Sequence, residues 1–192
     1  MPDSGYKTPT AATQTGTGTS WTGLTNAYAL DSAYVECQQP AEGSSKQLWL
    51  TGFDFSAIPT GKIPVGIEVQ IHGTESEDYN IVYTELCQII YGGSLLGTAK
   101  TDGNAWEDND PLLGGASDLF GITGLTLAMV KSSTFGIAIA AKKLAHADGA
   151  TVISQLDTVG LKIHYADDTT ILGTIDNATL PGLTGKAHHR VN

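Results

Sequence analysis

The chain has 192 residues, the size of one domain. Hydrophobic residues make up 41% and glycine, at 23 residues, follows no fixed period, which excludes a disordered chain and a collagen. The formal net charge is −10 and Arg190 is the only arginine, so neither nucleic acid nor an anionic membrane is an expected partner.

Residues 1–20 are rich in Thr and Gly and nearly free of large apolar side chains. They are read as an extended N-terminal arm outside the core, because such a segment buries too little surface to offset its ordering entropy. With one lysine and no apolar stretch they do not read as a secretory leader. The product is expected to be made in a cytoplasm.

A β-rich body is predicted over 21–167. Leu48 to Phe55 changes parity at Gly52, which predicts a β-bulge there. Ile63, Val65, Ile67, Val69 and Ile71 alternate with mostly polar residues, so five β-branched side chains are placed on one strand face. Pro64 places that end on an edge or at the strand start. Ile81 to Tyr91 is apolar on both parities and is expected to be covered on both faces. Phe135, Ile137 and Ile139 repeat the alternation. So do Val159, Leu161, Ile163 and Tyr165, with Lys162 and His164 pointing the other way. Leu125 to Lys131 has room for one helical turn.

Turns are expected at Gly43-Ser44-Ser45, Pro59-Thr60-Gly61, Asp102-Gly103-Asn104 and Asp148-Gly149. Short strands between glycine-rich turns predict an all-β fold, an antiparallel two-sheet sandwich. Residues 168–192 read as a polar C-terminal extension.

Few residues suggest chemistry. Glu107-Asp108-Asn109-Asp110 offers hard oxygen ligands for calcium. Leu112 stands where an EF-hand needs another oxygen, and Pro111 closes the run as it would a solvated loop. Glu75, Glu77 and Asp78 read as a solubilising hairpin tip. His188-His189 has no evident further ligands. Asn177-Ala178-Thr179 fits a glycosylation acceptor but comes without a secretion signal. Trp21, Trp49 and Trp106 fit either a sugar-stacking platform or core packing. Cys37 and Cys87 are expected to be reduced and buried rather than paired. No nucleophile, zinc or phosphate-loop motif occurs. No catalytic, cofactor or metal residue is therefore assigned, and no cofactor is expected.

The order of several motifs carries a resemblance. Trp21 is followed by Asn26-Ala27-Tyr28-Ala29, Leu48-Trp49-Leu50-Thr51-Gly52-Phe53-Asp54-Phe55 with Ile58-Pro59, and Ile63-Pro64-Val65-Gly66-Ile67-Glu68-Val69. Gly114-Gly115-Ala116-Ser117-Asp118-Leu119-Phe120-Gly121, Phe135-Gly136-Ile137 and Leu156-Asp157-Thr158-Val159 come later. Over residues 21–167 this resembles a jelly-roll-like β-sandwich module of tailed-bacteriophage virion proteins. Phe120 departs from that pattern, which often has tryptophan there. The resemblance implies a non-enzymatic virion structural protein. A capsid decoration, or cement, protein on the capsid exterior is the leading expectation, and a tail or fibre component with a receptor- or carbohydrate-binding role is the alternative. Its expected partners are the major capsid protein and copies of itself, a trimer being one arrangement. The residues also have local explanations. Gly66 lets another layer approach, Gly114, Gly115 and Gly121 permit tight loops, and Asp118 and Asp157 accept turn amides.

Overall fold

A computed structural model of the chain describes residues 1–77, 79, 81–106, 110–146, 149 and 151–169. The strands are β1 (Ala11–Thr15), β2 (Val35–Gln39), β3 (Gly43–Ser44), β4 (Gln47–Thr51), β5 (Lys62–Glu75), β6 (Val82–Tyr91), β7 (Ser94–Lys100), β8 (Leu112–Gly115), β9 (Gly136–Lys143) and β10 (Val152–Asp167). A 3₁₀ turn spans Leu24–Tyr28, and one helical turn, α1, spans Leu127–Val130. Thr126, a weak helix former, works here as the cap, its hydroxyl accepting the Met129 amide.

The strands form two antiparallel sheets. One runs β1-β4-β9-β6-β7, with β3 also on β9, and the other runs β2-β10-β5-β8. Without β1 and β3, the eight remaining strands taken in chain order fall into the orders 2-7-4-5 and 1-8-3-6. That order follows from one long antiparallel ladder, pairing β2 with β10, β4 with β9, β5 with β8 and β6 with β7. Rolling it brings β10 onto β5 and β9 onto β6.

The core lies between the sheets. Ile67, Val69, Ile71, Val159, Leu161 and Ile163 come from one side, and Leu48, Leu50, Cys87, Ile89, Ile137 and Ile139 from the other, all fully buried. Each such aliphatic side chain contributes about 1.5–3 kcal/mol on burial. Phe53 stacks near Phe55, which meets Phe135 edge-on. At Gly66 a side chain would strike the Ala116 backbone at 2.4 Å, so the missing side chain admits the chain that follows β8 in the same sheet rather than another layer.

Four other local expectations change. Ile63 is 40% exposed and Val65 only half-buried. The register between β5 and β10 slips at Val65, where His164 meets Gly66 and Tyr165 meets Pro64, so the alternation that holds from Ile67 to Ile71 breaks before it reaches the start of β5. At Gly52 there is no bulge. Strand β4 ends at Thr51, the chain turns through a left-handed Gly52, and Phe53 and Phe55 are buried beyond the strand. The mixed parity of β6 has two sources: a bulge, and a far end where Ile89 and Ile90 are both buried and both faces are covered as expected. The register shifts between Thr84 and Leu86, so Val82 and Thr84, then Cys87 and Ile89, point inward, while Glu85 stays exposed. Gly43 and Ser44 form β3 instead of a turn.

The N-terminal arm also departs from its reading. It is laid along the chain's own sheets, and Ala11–Thr15 pairs with Gln47–Thr51 as the edge strand β1. Strand addition uses backbone amides and carbonyls, so it does not need the apolar side chains whose scarcity argued against it. Of the C-terminal extension, only Asp168 and Thr169 are among the described residues.

Candidate functional site

The most elaborate polar arrangement is the seat of the N-terminal strap. β2 pairs with only residues 152–156 of β10 and leaves the rest of that edge open. Residues 2–7 fill it. The Ser4 and Lys7 amides donate to the Ile163 and Leu161 carbonyls, and the Leu161 and Tyr165 amides donate to the Lys7 and Pro2 carbonyls. Pro9 is buried. The chain then crosses to the other sheet, where Thr10 donates its hydroxyl to the Gly52 carbonyl at 3.0 Å, and continues as β1.

Side chains add to this hold: the Ser4 hydroxyl accepts the Ile163 amide at 3.0 Å, and Tyr6 makes the most elaborate anchor. The Tyr6 ring lies over Gly160, where an added Cβ would come within 3.0 Å of its Cδ1. The Tyr6 hydroxyl donates to Glu68 Oε1. Lys162 Nζ sits 2.5 Å from the same oxygen and 4.3 Å over the Tyr6 ring. His164 Nε2 lies 3.4 Å from Glu68 Oε2. Burial pushes the Glu68 carboxyl up, but hydrogen bonds from Lys162, Tyr6 and His164 outweigh it and hold the group below the usual carboxylate range. Burial, then the bond to Glu68, raises the Tyr6 phenol above its ordinary value. This is a latch, with no nucleophile held against a base.

Clefts flank the sheets. One, of about 390 Å³, is lined by Leu30, Tyr34, His72, Gly73, Thr74, Asp110 and Asp157. His72 Nδ1 pairs with Asp110 at 2.8 Å. The Asp157 carboxylate accepts the Asp31 and Ser32 amides at 3.1 and 2.9 Å. It thereby holds Ser32 in a left-handed conformation. Another, of about 480 Å³, includes Ile63, Leu125, Leu127, Ala128, Lys62 and Lys131 in its lining.

The residues singled out by sequence are scattered. Trp21 and Trp106 are buried, and their indole N–H groups donate to the Lys46 carbonyl and the Thr84 hydroxyl. Trp49 lies half-buried on the outer face of its sheet. The three form no stacking platform. Glu75 corrects the hairpin-tip reading. It is 5% exposed, and its carboxylate accepts the Tyr79, Ile81 and Val82 amides, so it closes the β5–β6 connection from within. Asp78, Glu107 to Asn109, Asp148, Asn177, His188 and His189 lie outside the described residues. Cys37 and Cys87 are free and buried, and burial pushes the Cys37 thiol up to about 12. Asp118 accepts the Phe120 amide at 2.8 Å and meets Lys100 Nζ at 2.7 Å. Burial raises its carboxyl, but these two contacts more than compensate and hold it low. The same bond steadies Phe120, fully buried in a left-handed conformation that a bulky residue rarely adopts.

Among the described residues no group of three or more His, Cys, Asp or Glu side chains is placed to hold a metal ion. No helix among them is long and apolar enough to cross a membrane. Sequence reasoning missed Tyr6, Glu68 and Gly160. The outward polar parity of Glu68, Lys162 and His164 was visible, but nothing in it named a tyrosine 62 residues before Glu68 and far from the other two in sequence. Comparison with known family models, curated proteins and solved structures finds no match.

Proposed function

We propose that the chain is a non-enzymatic structural subunit of a tailed-phage virion, a capsid decoration protein that bridges capsid subunits from the outside. One observation carries the reading. The strand orders 2-7-4-5 and 1-8-3-6 fit a rolled antiparallel ladder of the jelly-roll kind, which supports the resemblance seen in the motif order. The function itself rests on that fold-level analogy.

The chemistry fits an adhesive role. The elaborate polar groups of the described residues, Glu68, Glu75, Asp118 and Asp157, are committed to amides and to lysine or tyrosine partners within the chain. In such a role a rigid sandwich lies on the shell, its sheet edges give main-chain contacts, and repetition over a symmetric surface turns weak contacts into avidity. The acidic surface keeps the particle soluble. The buried Trp21 and Trp106 leave the carbohydrate-binding alternative without its platform.

A density map of the intact particle tests this. The expected result is many copies on the head exterior. A few copies at the tail would replace the reading with the tail or fibre one, and absence from the particle would refute both.

A further inference from the structure

Each sheet has two edges, and they are treated differently. On β7, the Thr98 amide is taken by the Phe120 carbonyl and Lys100 adds charge. On β2, the Glu36 amide and carbonyl are both bonded to Thr22. β8 is four residues long and closed by the Gly115–Asp118 bridge. These are the usual ways of blunting an edge: cover, charge and shortness.

β1 is less protected. The Leu24–Tyr28 turn packs near it and its Gln14 side chain exchanges hydrogen bonds with the Trp21 backbone, but no charge and, among the described residues, no backbone partner blunts its outer side. Among the described residues, no backbone hydrogen bond from 11–15 goes anywhere but to β4. Its sequence, Ala-Ala-Thr-Gln-Thr, carries no charge, proline or glycine. Ala11, Thr13 and Thr15 are exposed and share the outer face with Gln47, Trp49 and Thr51 of β4, which are also uncharged. Residues 8–30 hold no Asp, Glu, Lys, Arg or His at all, in a chain of net charge −10.

We infer that the β1 edge is a self-association site, where β1 of a second copy pairs antiparallel about Thr13 and joins the two sheets into one. The partner follows from charge and symmetry. Two copies of an acidic chain repel one another wherever their acidic surfaces meet, and this uncharged stripe lets them approach closely. Antiparallel pairing about Thr13 is self-complementary, as a two-fold contact must be. It sets Thr13 against Thr13 and Ala11 against Thr15 on the outer face, and Ala12 against Gln14 on the inner one. Threonine and other small β-formers suit such cross-strand contacts. The inference concerns the chain in solution and does not depend on the capsid reading.

Sedimentation velocity of the full chain over a concentration series tests it, alongside Thr13→Lys. The expected result is a monomer–dimer equilibrium that Thr13→Lys weakens by at least about tenfold, with an unchanged far-ultraviolet spectrum. Thr13→Cys gives a second readout that survives any folding defect of the lysine variant. Under mild oxidation it should form a disulfide-linked dimer, while Ser94→Cys on the opposite edge should not. A wild-type chain that stays monomeric to about 1 mM, a lysine variant that dimerises as well as the wild type, or a Thr13→Cys chain that does not cross-link would overturn the inference.

Discussion

The sandwich body and the N-terminal strap are both β structure, yet different forces hold them. In the body, side chains such as Ile67, Val69, Ile137 and Leu161 lose all contact with water. The strap buries Pro9, packs Ala12 against the core and leaves Tyr6 39% exposed. Its hold is a row of backbone hydrogen bonds to β10 and β4, the Ser4 hydroxyl on the Ile163 amide, and the Tyr6 hydroxyl latched to Glu68. Body and strap are therefore expected to open separately, the strap at a lower free energy.

The largest effect is expected in the body. Ile67→Ala should cost about 2–5 kcal/mol in denaturant unfolding, the range for a buried aliphatic. A loss below about 0.5 kcal/mol, the scale of surface sites, would mean that the core is placed on the wrong face.

Glu75→Ala comes next. It removes the acceptor for three amides at the β5–β6 connection, and buried unpaired amides cost about 1–3 kcal/mol. A neutral result in the same unfolding assay would restore the solvated hairpin tip.

Gly160→Val should act on the strap. The new side chain occupies the place of the Tyr6 ring, so amides of residues 4 and 7 should exchange with solvent at least about tenfold faster, while the melting temperature moves by no more than about 2 °C. A large fall in melting temperature would show that strap and body unfold together.

The pH dependence is the mildest effect and bounds the latch on both sides. The folded Glu68 carboxyl sits below its usual range. Its contribution is present above the unfolded value, roughly 4.3, and is lost as pH falls through the lower folded one. The Tyr6 phenol is raised, so its contribution is present below roughly 10 and is lost as pH climbs through the higher folded value. In the docked strap, Tyr6 ring resonances should therefore stay constant between the two folded values and shift only beyond them. A Tyr6 ring that titrates near 10 would mean that the strap is undocked.

The body was legible in the sequence because hydrophobic burial writes itself into side-chain alternation. Ile67, Val69, Phe135, Ile137, Leu161 and Ile163 are all buried as that pattern required, and the amide-accepting roles of Asp118 and Asp157 followed from turn chemistry. Where alternation was broken, the reading slipped. In β6 a bulge after Thr84 was read as cover on both faces, which holds only at Ile89 and Ile90, and the end of β4 looked like a bulge. The strap was illegible for a deeper reason. Backbone pairing leaves no mark on side-chain type beyond a tolerance for threonine, and the latch joins residues 6, 68 and 162, which no local pattern connects. Glu75 was misread because an acidic residue in a turn carries the same letters whether it faces water or a ring of amides.

Residue-resolved hydrogen exchange of the full chain tests the central claim, that the strap is docked by backbone pairing on a body that stands without it. Ser4 and Lys7 amides should be protected relative to free chain, yet exchange at least about tenfold faster than those of Ile67 and Ile137. Free-chain rates at Ser4 and Lys7 would contradict the docking, and rates equal to the core's would contradict the separation of strap from body.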